Sequence, residues 1–145
     1  MKNRKLILAF VLLAAALIVA AVLHLSSRQV IGEGCIELIV GDSSQVVSLD
    51  DMSYEVVSGI RINGKGEEIP VEGMGFCLAD WMNELAVTGH QKITVISDDS
   101  YSADIDAAES ENAYFLREEQ QLRLVVFGDK DSKRSVSNIK QIIVQ

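Results

Sequence analysis

The stretch GMGFCLADWMNEL, residues 73–85, decides the fold class, because it holds the one clear helix pattern in a chain dominated by strand patterns. Apolar residues recur at positions i, i+3, i+4 and i+7, namely at Leu78, Trp81, Met82 and Leu85. This spacing predicts one face of a helix of about three turns. Gly89 is expected to close the helix in the left-handed conformation. Cys77 then lies at or next to the first helical residue.

Most of the chain around this helix shows strand patterns. Short apolar runs bounded by turn-forming residues predict strands at 35–40, 45–49, 92–99, 122–129 and 138–145. Residues 103–112 are read as a short helix or loop. One clear helix among many strands indicates the α+β class, a strand-rich mixed α/β domain.

Residues 53–63 alternate with a period of two, which predicts a half-buried strand. Its core-facing side is expected to carry Tyr54, Val56, Ser58, Ile60 and Ile62. The pair Asn63-Gly64 predicts a two-residue hairpin turn, because both positions must accept positive φ. A return strand at 67–71 follows, and Pro70 within it indicates an exposed edge.

The first 25 residues form a separate segment. Lys2, Arg4 and Lys5 precede an apolar run from Leu6 to Leu23, and the stretch that extends to Leu25 has 20 residues. As a helix it would measure about 30 Å, which matches the hydrocarbon core of a bilayer. We therefore expect one N-terminal transmembrane helix in residues 1–25, with residues 6–25 in contact with the cell membrane.

The charges before this run are expected to keep the N-terminus in the cytoplasm and the rest of this single-pass protein outside. The alternative is a signal peptide cut near the small residues Val19-Ala20-Ala21, which would give a secreted protein. Signal peptides have apolar cores of about 7 to 15 residues. The longer run here favours an uncleaved anchor.

Residues 26–34 are expected to be a tether, and residues 35–145 one extracytoplasmic domain with a single core. All 21 Asp and Glu residues follow the apolar run, against ten Lys and Arg, which gives this part a net charge of −11. Such acidity argues against nucleic acid as a partner, because phosphates need cationic contacts. It argues equally against contact of this domain with an anionic membrane surface.

The order of these segments resembles the molybdopterin-binding domain of the sulfite oxidase-type oxidoreductases. The similar segments, in the same order along the chain, are SLDDM (48–52), GFCLADWM (75–82), KITVISDDSYS (92–102), LRLVVFGD (122–129) and RSVSNIKQIIV (134–144). The resemblance implies the sulfite oxidase molybdopterin-binding fold for residues 35–145.

The same resemblance speaks against the family's activity. That family holds molybdenum through a cysteine in the loop after the strand that matches residues 54–63, and a soft thiolate suits such a metal. Here that stretch contains no cysteine, and a short Asn63–Gly66 turn stands where the family has a longer loop. We therefore expect no cofactor, with molybdopterin implied by the resemblance only, and favour a non-catalytic domain.

The resemblance also implies a candidate anion site. Arg134 and Ser135 match a Lys-Ser pair of the family that helps to hold the pterin phosphate, and Lys133 and Tyr101 complete the candidate set. A cation and a hydroxyl beside a turn can bind a phosphate or carboxylate. The alternative is a solvated basic turn, residues 130–134, that balances nearby acids.

Cys77 is the candidate catalytic or metal-binding thiol, because the positive end of a helix dipole stabilises a thiolate. Two alternatives stay open: a buried cysteine that packs as a small apolar residue, and a disulfide with Cys35 outside the cytoplasm. His90 and the two cysteines do not form a zinc-binding spacing. The acidic stretch 98–111 lacks the glycine and the bidentate glutamate of a calcium loop, so no metal site is expected.

Three functions follow. The first is a membrane-anchored, extracytoplasmic, non-catalytic domain that binds a small anionic ligand or a protein partner. The second is a molybdopterin-dependent oxidoreductase with Cys77 or Cys35 as the metal ligand. The third is a protein-interaction module without a ligand.

Overall fold

The computed structural model describes residues 2–26 and 31–145. The chain divides into two units, Met1–Val30 and Ile31–Gln145. The predicted tether, 26–34, lies partly outside the described residues, at positions 27–30.

The first unit contains one helix, α1 (Lys2–Ser26). Among the helices of residues 2–26 and 31–145, none is both long enough and apolar enough to cross a membrane. On this finding the predicted transmembrane helix of residues 1–25 is wrong. The helix is 25 residues long but not apolar throughout. Polar residues stand at its start, from Lys2 to Lys5, and at its end, at His24 and Ser26.

The second unit is strand-rich, as the sequence pattern predicts, and contains two sheets and one helix. Its strands are β1 (Cys35–Val40), β2 (Ser43–Ser48), β3 (Glu55–Ile62), β4 (Glu68–Cys77), β5 (Lys92–Ser97), β6 (Ser102–Asp106), β7 (Ala113–Glu118), β8 (Gln121–Val126) and β9 (Ile139–Val144). The helix is α2 (Leu78–Glu84), and two 3-10 turns cover Leu49–Asp51 and Ala107–Asn112. We refer to these as the first and the second 3-10 turn.

One sheet has five strands in the order β2-β1-β9-β5-β6, and the other has four in the order β3-β4-β7-β8. Strands β1 and β9 pair in parallel, and the other described strand pairs are antiparallel. A single large core cluster takes side chains from both sheets and from α2. Among them Ile36 of β1, Ile142 of β9, Phe115 of β7 and Leu78 of α2 are fully buried.

The β3–β4 hairpin corrects the predicted orientation of β3. Val56 and Ile60, expected in the core, are 70% and 55% exposed, whereas Val57 is buried. The reason lies in Phe127, which packs so closely that a Cβ at Gly59 would come within 2.5 Å of its ring. The strand face of Val57 and Gly59 therefore packs against the β7–β8 side, and the opposite face is left outside.

The hairpin turn is longer than predicted. Ile62 pairs with Glu68, so five residues rather than two connect the strands. The Asn63 side-chain oxygen accepts hydrogen bonds from the backbone N–H groups of Lys65 and Glu67, both at 2.9 Å. Positive φ occurs at Gly66 (80°) and not at Asn63 or Gly64, where the predicted turn requires it. The hydrogen bonds that the Asn63 side chain accepts therefore shape this turn.

The helix is shorter than predicted. Strand β4 passes directly into α2, with Cys77 in an extended conformation as the residue before the helix. Leu78, Trp81 and Met82 are buried as expected, but α2 ends at Glu84 rather than near Gly89. Ala86 already takes a left-handed φ of 55°, which ends the helical path.

Candidate binding site

A cavity of about 560 Å³ opens where the first 3-10 turn and the start of β3 face the end of β4 and α2. Three aromatic side chains line it: Tyr54, Phe76 and Trp81. The ring centroids of Phe76 and Trp81 are 5.4 Å apart at 60°, and those of Tyr54 and Phe76 are 5.8 Å apart at 58°. The three rings therefore form one continuous aromatic wall, with tilted and edge-to-face contacts that aromatic pairs prefer.

The local sequence explains why these rings converge. Phe76 is the next-to-last residue of β4, and Trp81 lies one turn into α2. Behind both rings stands Phe115 of β7, with centroid distances of 5.3 Å to Phe76 and 6.1 Å to Trp81. Because Phe115 is fully buried, it fixes the wall from the core side.

Tyr54 is held in place by hydrogen bonds. Its hydroxyl donates to the Leu49 carbonyl at 2.6 Å. The Arg117 guanidinium lies 5.4 Å from the centroid of the Tyr54 ring and donates to the same carbonyl at 3.2 Å and to Asp50 at 2.6 Å. Burial raises the pKa of Tyr54, and the charge of Arg117 offsets part of that increase. This cluster attaches the first 3-10 turn to β7.

The cavity is strongly acidic. Four carboxylate residues line it: Asp51, Glu55, Asp80 and Glu84. All four are exposed, and within residues 31–145 none of them takes part in a salt bridge. The residues lining this cavity include no Lys, Arg or His. The lining therefore carries uncompensated negative charge.

The neighbouring Tyr114 responds to this charge. Burial raises the pKa of the Tyr114 hydroxyl, and Cys77, Asp80 and Glu55 raise it further. A phenol that loses its proton becomes an anion, so nearby carboxylates disfavour the loss.

Cys77, the candidate reactive thiol, lines the cavity but is only 6% exposed. Its Sγ lies 3.7 Å from the Ser110 carbonyl oxygen and 3.8 Å from that of Glu111, so the thiol is directed at the second 3-10 turn. It makes no capping hydrogen bond to α2. This environment is that of a buried cysteine with weak backbone contacts.

Cys35, the proposed disulfide partner, is half-buried at the start of β1 in the five-stranded sheet. Cys77 ends β4 in the four-stranded sheet. Both are free thiols in the structure.

Arg134, the main residue of the candidate anion site, is engaged inside the protein. Its guanidinium donates to Asp129 through Nε at 2.9 Å and through Nη2, and to Glu109 through Nη1 at 2.7 Å. These carboxylates hold the pKa of Arg134 well above its ordinary value. The guanidinium N–H groups that would bind an anion are therefore already bonded to two carboxylates.

The other candidate residues lie beside it. The Tyr101 hydroxyl donates to the Lys133 carbonyl, so these two are brought together. The Lys133 ammonium is 3.5 Å from Asp131 and its side chain is 84% exposed. Ser135 donates its backbone N–H to the Ser132 carbonyl at 3.0 Å. The group forms a turn with internal ion pairs.

A scan against protein-family models found no match for this chain, and a search of curated proteins found no relative. The resemblance to the sulfite oxidase-type domain therefore stays a prediction.

The cavity lining was tested against molybdopterin, the cofactor implied by that resemblance. The cofactor is anionic and needs a soft thiolate for its metal, together with cationic or N–H donors for its phosphate. Here the thiol of Cys77 is directed away at backbone carbonyls, and four carboxylates stand where cationic donors would be needed. The residues at this cavity do not fit the group.

Proposed function

We propose that the Ile31–Gln145 unit is a binding module and that the cavity between the first 3-10 turn and α2 is its binding site. One observation carries the proposal: a concave space of about 560 Å³ combines a continuous aromatic wall with four carboxylate residues in its lining. Ligand sites are typically concave, mainly apolar and supplied with a few polar groups that set orientation.

The geometry favours this function over two of the three functions that the sequence leaves open, anion binding through Arg134 and a module without a ligand. An anion-binding module built on Arg134 would have to displace two bound carboxylates. Core packing accounts for the three rings, but a module without any ligand gives no reason for four unpaired acids to surround the cavity that they line. A desolvated aromatic wall is a usual anchor site for a small molecule or for a side chain of a partner protein.

The chain offers a direct probe, because Trp81 is its single tryptophan and lines the cavity. Titration of the full chain with a set of small cationic, neutral and anionic compounds should change the Trp81 fluorescence for at least one charge class.

A blocking variant and a matched control complete the test. Ser53 lines the cavity and is exposed, so Ser53→Phe should fill part of it and weaken binding. Ser43, exposed at the start of β2, serves as the control, and Ser43→Phe should leave binding unchanged. If no compound of any charge changes the fluorescence, the proposed site is wrong.

A further inference from the structure

We infer that the cavity takes an organic cation, an alkylated ammonium group of the kind found in quaternary amines or at the end of a lysine side chain. The inference rests on the proposed function, and it names the chemical class of the ligand.

The aromatic wall can attract a cation. A cation within about 6 Å of the centroid of an aromatic ring is attracted by the negative face of the ring. Phe76 and Trp81 adjoin at 5.4 Å and both line the cavity, where they expose 8% and 7% of their surface. A cation that rests where these two rings meet is therefore within reach of both.

The charge of the lining also favours a cation. Asp51, Glu55, Asp80 and Glu84 attract a cation and repel an anion, and no cationic residue lines the cavity to compensate them. The nearest guanidinium contact to the wall, Arg117 on Tyr54, is neutralised by its ion pair with Asp50. Charge complementarity thus selects a cation over a neutral or anionic molecule of the same shape.

The spacing of the acids separates an organic cation from a metal ion. A metal ion requires several ligands within about 2.0 to 2.6 Å of one point. Within the described residues, no group of three or more His, Cys, Asp or Glu side chains is arranged to hold a metal ion. Carboxylates that surround a cavity of about 560 Å³ without converging on one point suit a bulky cation with spread charge.

The test compares three molecules of nearly the same shape on the full chain: choline, its neutral analogue 3,3-dimethyl-1-butanol, and the anion 3,3-dimethylbutanoate. Binding is read from the Trp81 fluorescence. Choline should bind about tenfold more tightly than the alcohol, and the anion should bind most weakly. Raising the ionic strength should weaken choline binding, because salt screens the exposed carboxylates.

The variant Asp80→Asn/Glu84→Gln should lower the affinity for choline severalfold and leave that for the alcohol unchanged. Both residues are exposed, so the fold should tolerate the change. The matched control is Glu72→Gln, an exposed acid on β4 that does not line the cavity.

A second arm identifies the source of the cation. Titration with N-acetyl-lysine methylamide, as a model of a partner's side chain, is compared with choline. Tighter binding of either compound than of the neutral alcohol supports the inference. If N-acetyl-lysine methylamide binds more tightly than choline, the source is a protein side chain; if choline binds more tightly, the source is a free amine. Equal binding of choline and the alcohol would overturn the inference and leave the binding site in place. Failure of all the compounds would overturn the proposed function as well.

Discussion

Gly75→Ala tests the pairing between β4 and β7 that supports the cavity wall. Gly75 lies opposite Leu116 where β4 meets β7, and a Cβ there would stand 2.2 Å from the backbone oxygen of Phe115. A carbon and a carbonyl oxygen in contact are normally about 3.3 Å apart, so one strand has to move by about 1 Å. The obstacle is backbone, which side-chain rotation cannot relieve.

The loss of stability follows from how short the pairing between β4 and β7 is. Strands β4 and β7 pair through only three residue pairs, which include Phe76 with Phe115 and Cys77 with Tyr114. Displacing them weakens several buried hydrogen bonds, each contributing about 1 kcal/mol, and partly uncovers Phe76. We expect Gly75→Ala to lower the free energy of unfolding by about 3 kcal/mol.

The assay is urea unfolding of the full chain, followed by the Trp81 fluorescence. Gly73→Ala is the matched control, because Gly73 lies on the same strand and a Cβ there meets nothing within 4 Å. The control should change the free energy of unfolding by less than about 0.5 kcal/mol, or raise it slightly. Two variants of equal stability would refute the reasoning from the close approach at Gly75.

Three further predictions concern the ion pairs and the thiols. Arg134→Met should lower the free energy of unfolding by about 2 kcal/mol, because it leaves the largely buried Asp129 unpaired. Arg134→Lys should lower it less. Equal stability of Arg134→Met and wild type in urea unfolding would contradict this. Arg134 holds the pKa of Glu109 below its ordinary value of 4.5, so the advantage of wild type over Glu109→Gln should be complete above pH 4.5 and vanish as the pH falls through the lower folded value. Because the Glu109 side chain is 44% exposed, that advantage should be below about 1 kcal/mol, and an advantage that grows in acid would contradict the assignment. A thiol reagent should modify half-buried Cys35 before Cys77, which is 6% exposed, and the reverse order would show that the Cys77 thiol is accessible.

Local sequence pattern predicted several strands and the start of the helix well, but the return strand predicted at 67–71 extends to Cys77 and passes directly into α2. The run CIELIV coincides with β1, and the stripe of Leu78, Trp81 and Met82 is the buried face of α2. Such elements are predictable because one face is apolar and the other polar, with a period set by the backbone.

Elements whose burial is decided by distant residues were not predicted. Strand β7 (Ala113–Glu118) was missed because it is an interior strand whose adjacent residues Phe115 and Leu116 are both buried, which removes the alternation. The orientation of β3 was predicted the wrong way round. Gly59 leaves a gap in the apolar pattern of the sequence, and Phe127, just after β8, fills that gap in the fold.

The candidate site was predicted only in part. The sequence drew attention to Cys77 and the segment around it, and that segment does form one wall of the cavity. It gave no sign that Asp51 and Glu55, more than 20 residues earlier, face the acids of α2 across the same space. Arg134 was interpreted either as an anion-binding residue or as part of a basic turn that balances nearby acids, and the fold supplies those acids as Asp129 and Glu109.

The most direct test of the central claim is the set of intermolecular NOEs between the methyl protons of choline and the full chain. We predict NOEs from the trimethylammonium group to the indole of Trp81 and the ring of Phe76. NOEs confined to the turn around Arg134, or none to either ring at a saturating choline concentration, would contradict the claim that the aromatic and acidic cavity is the binding site.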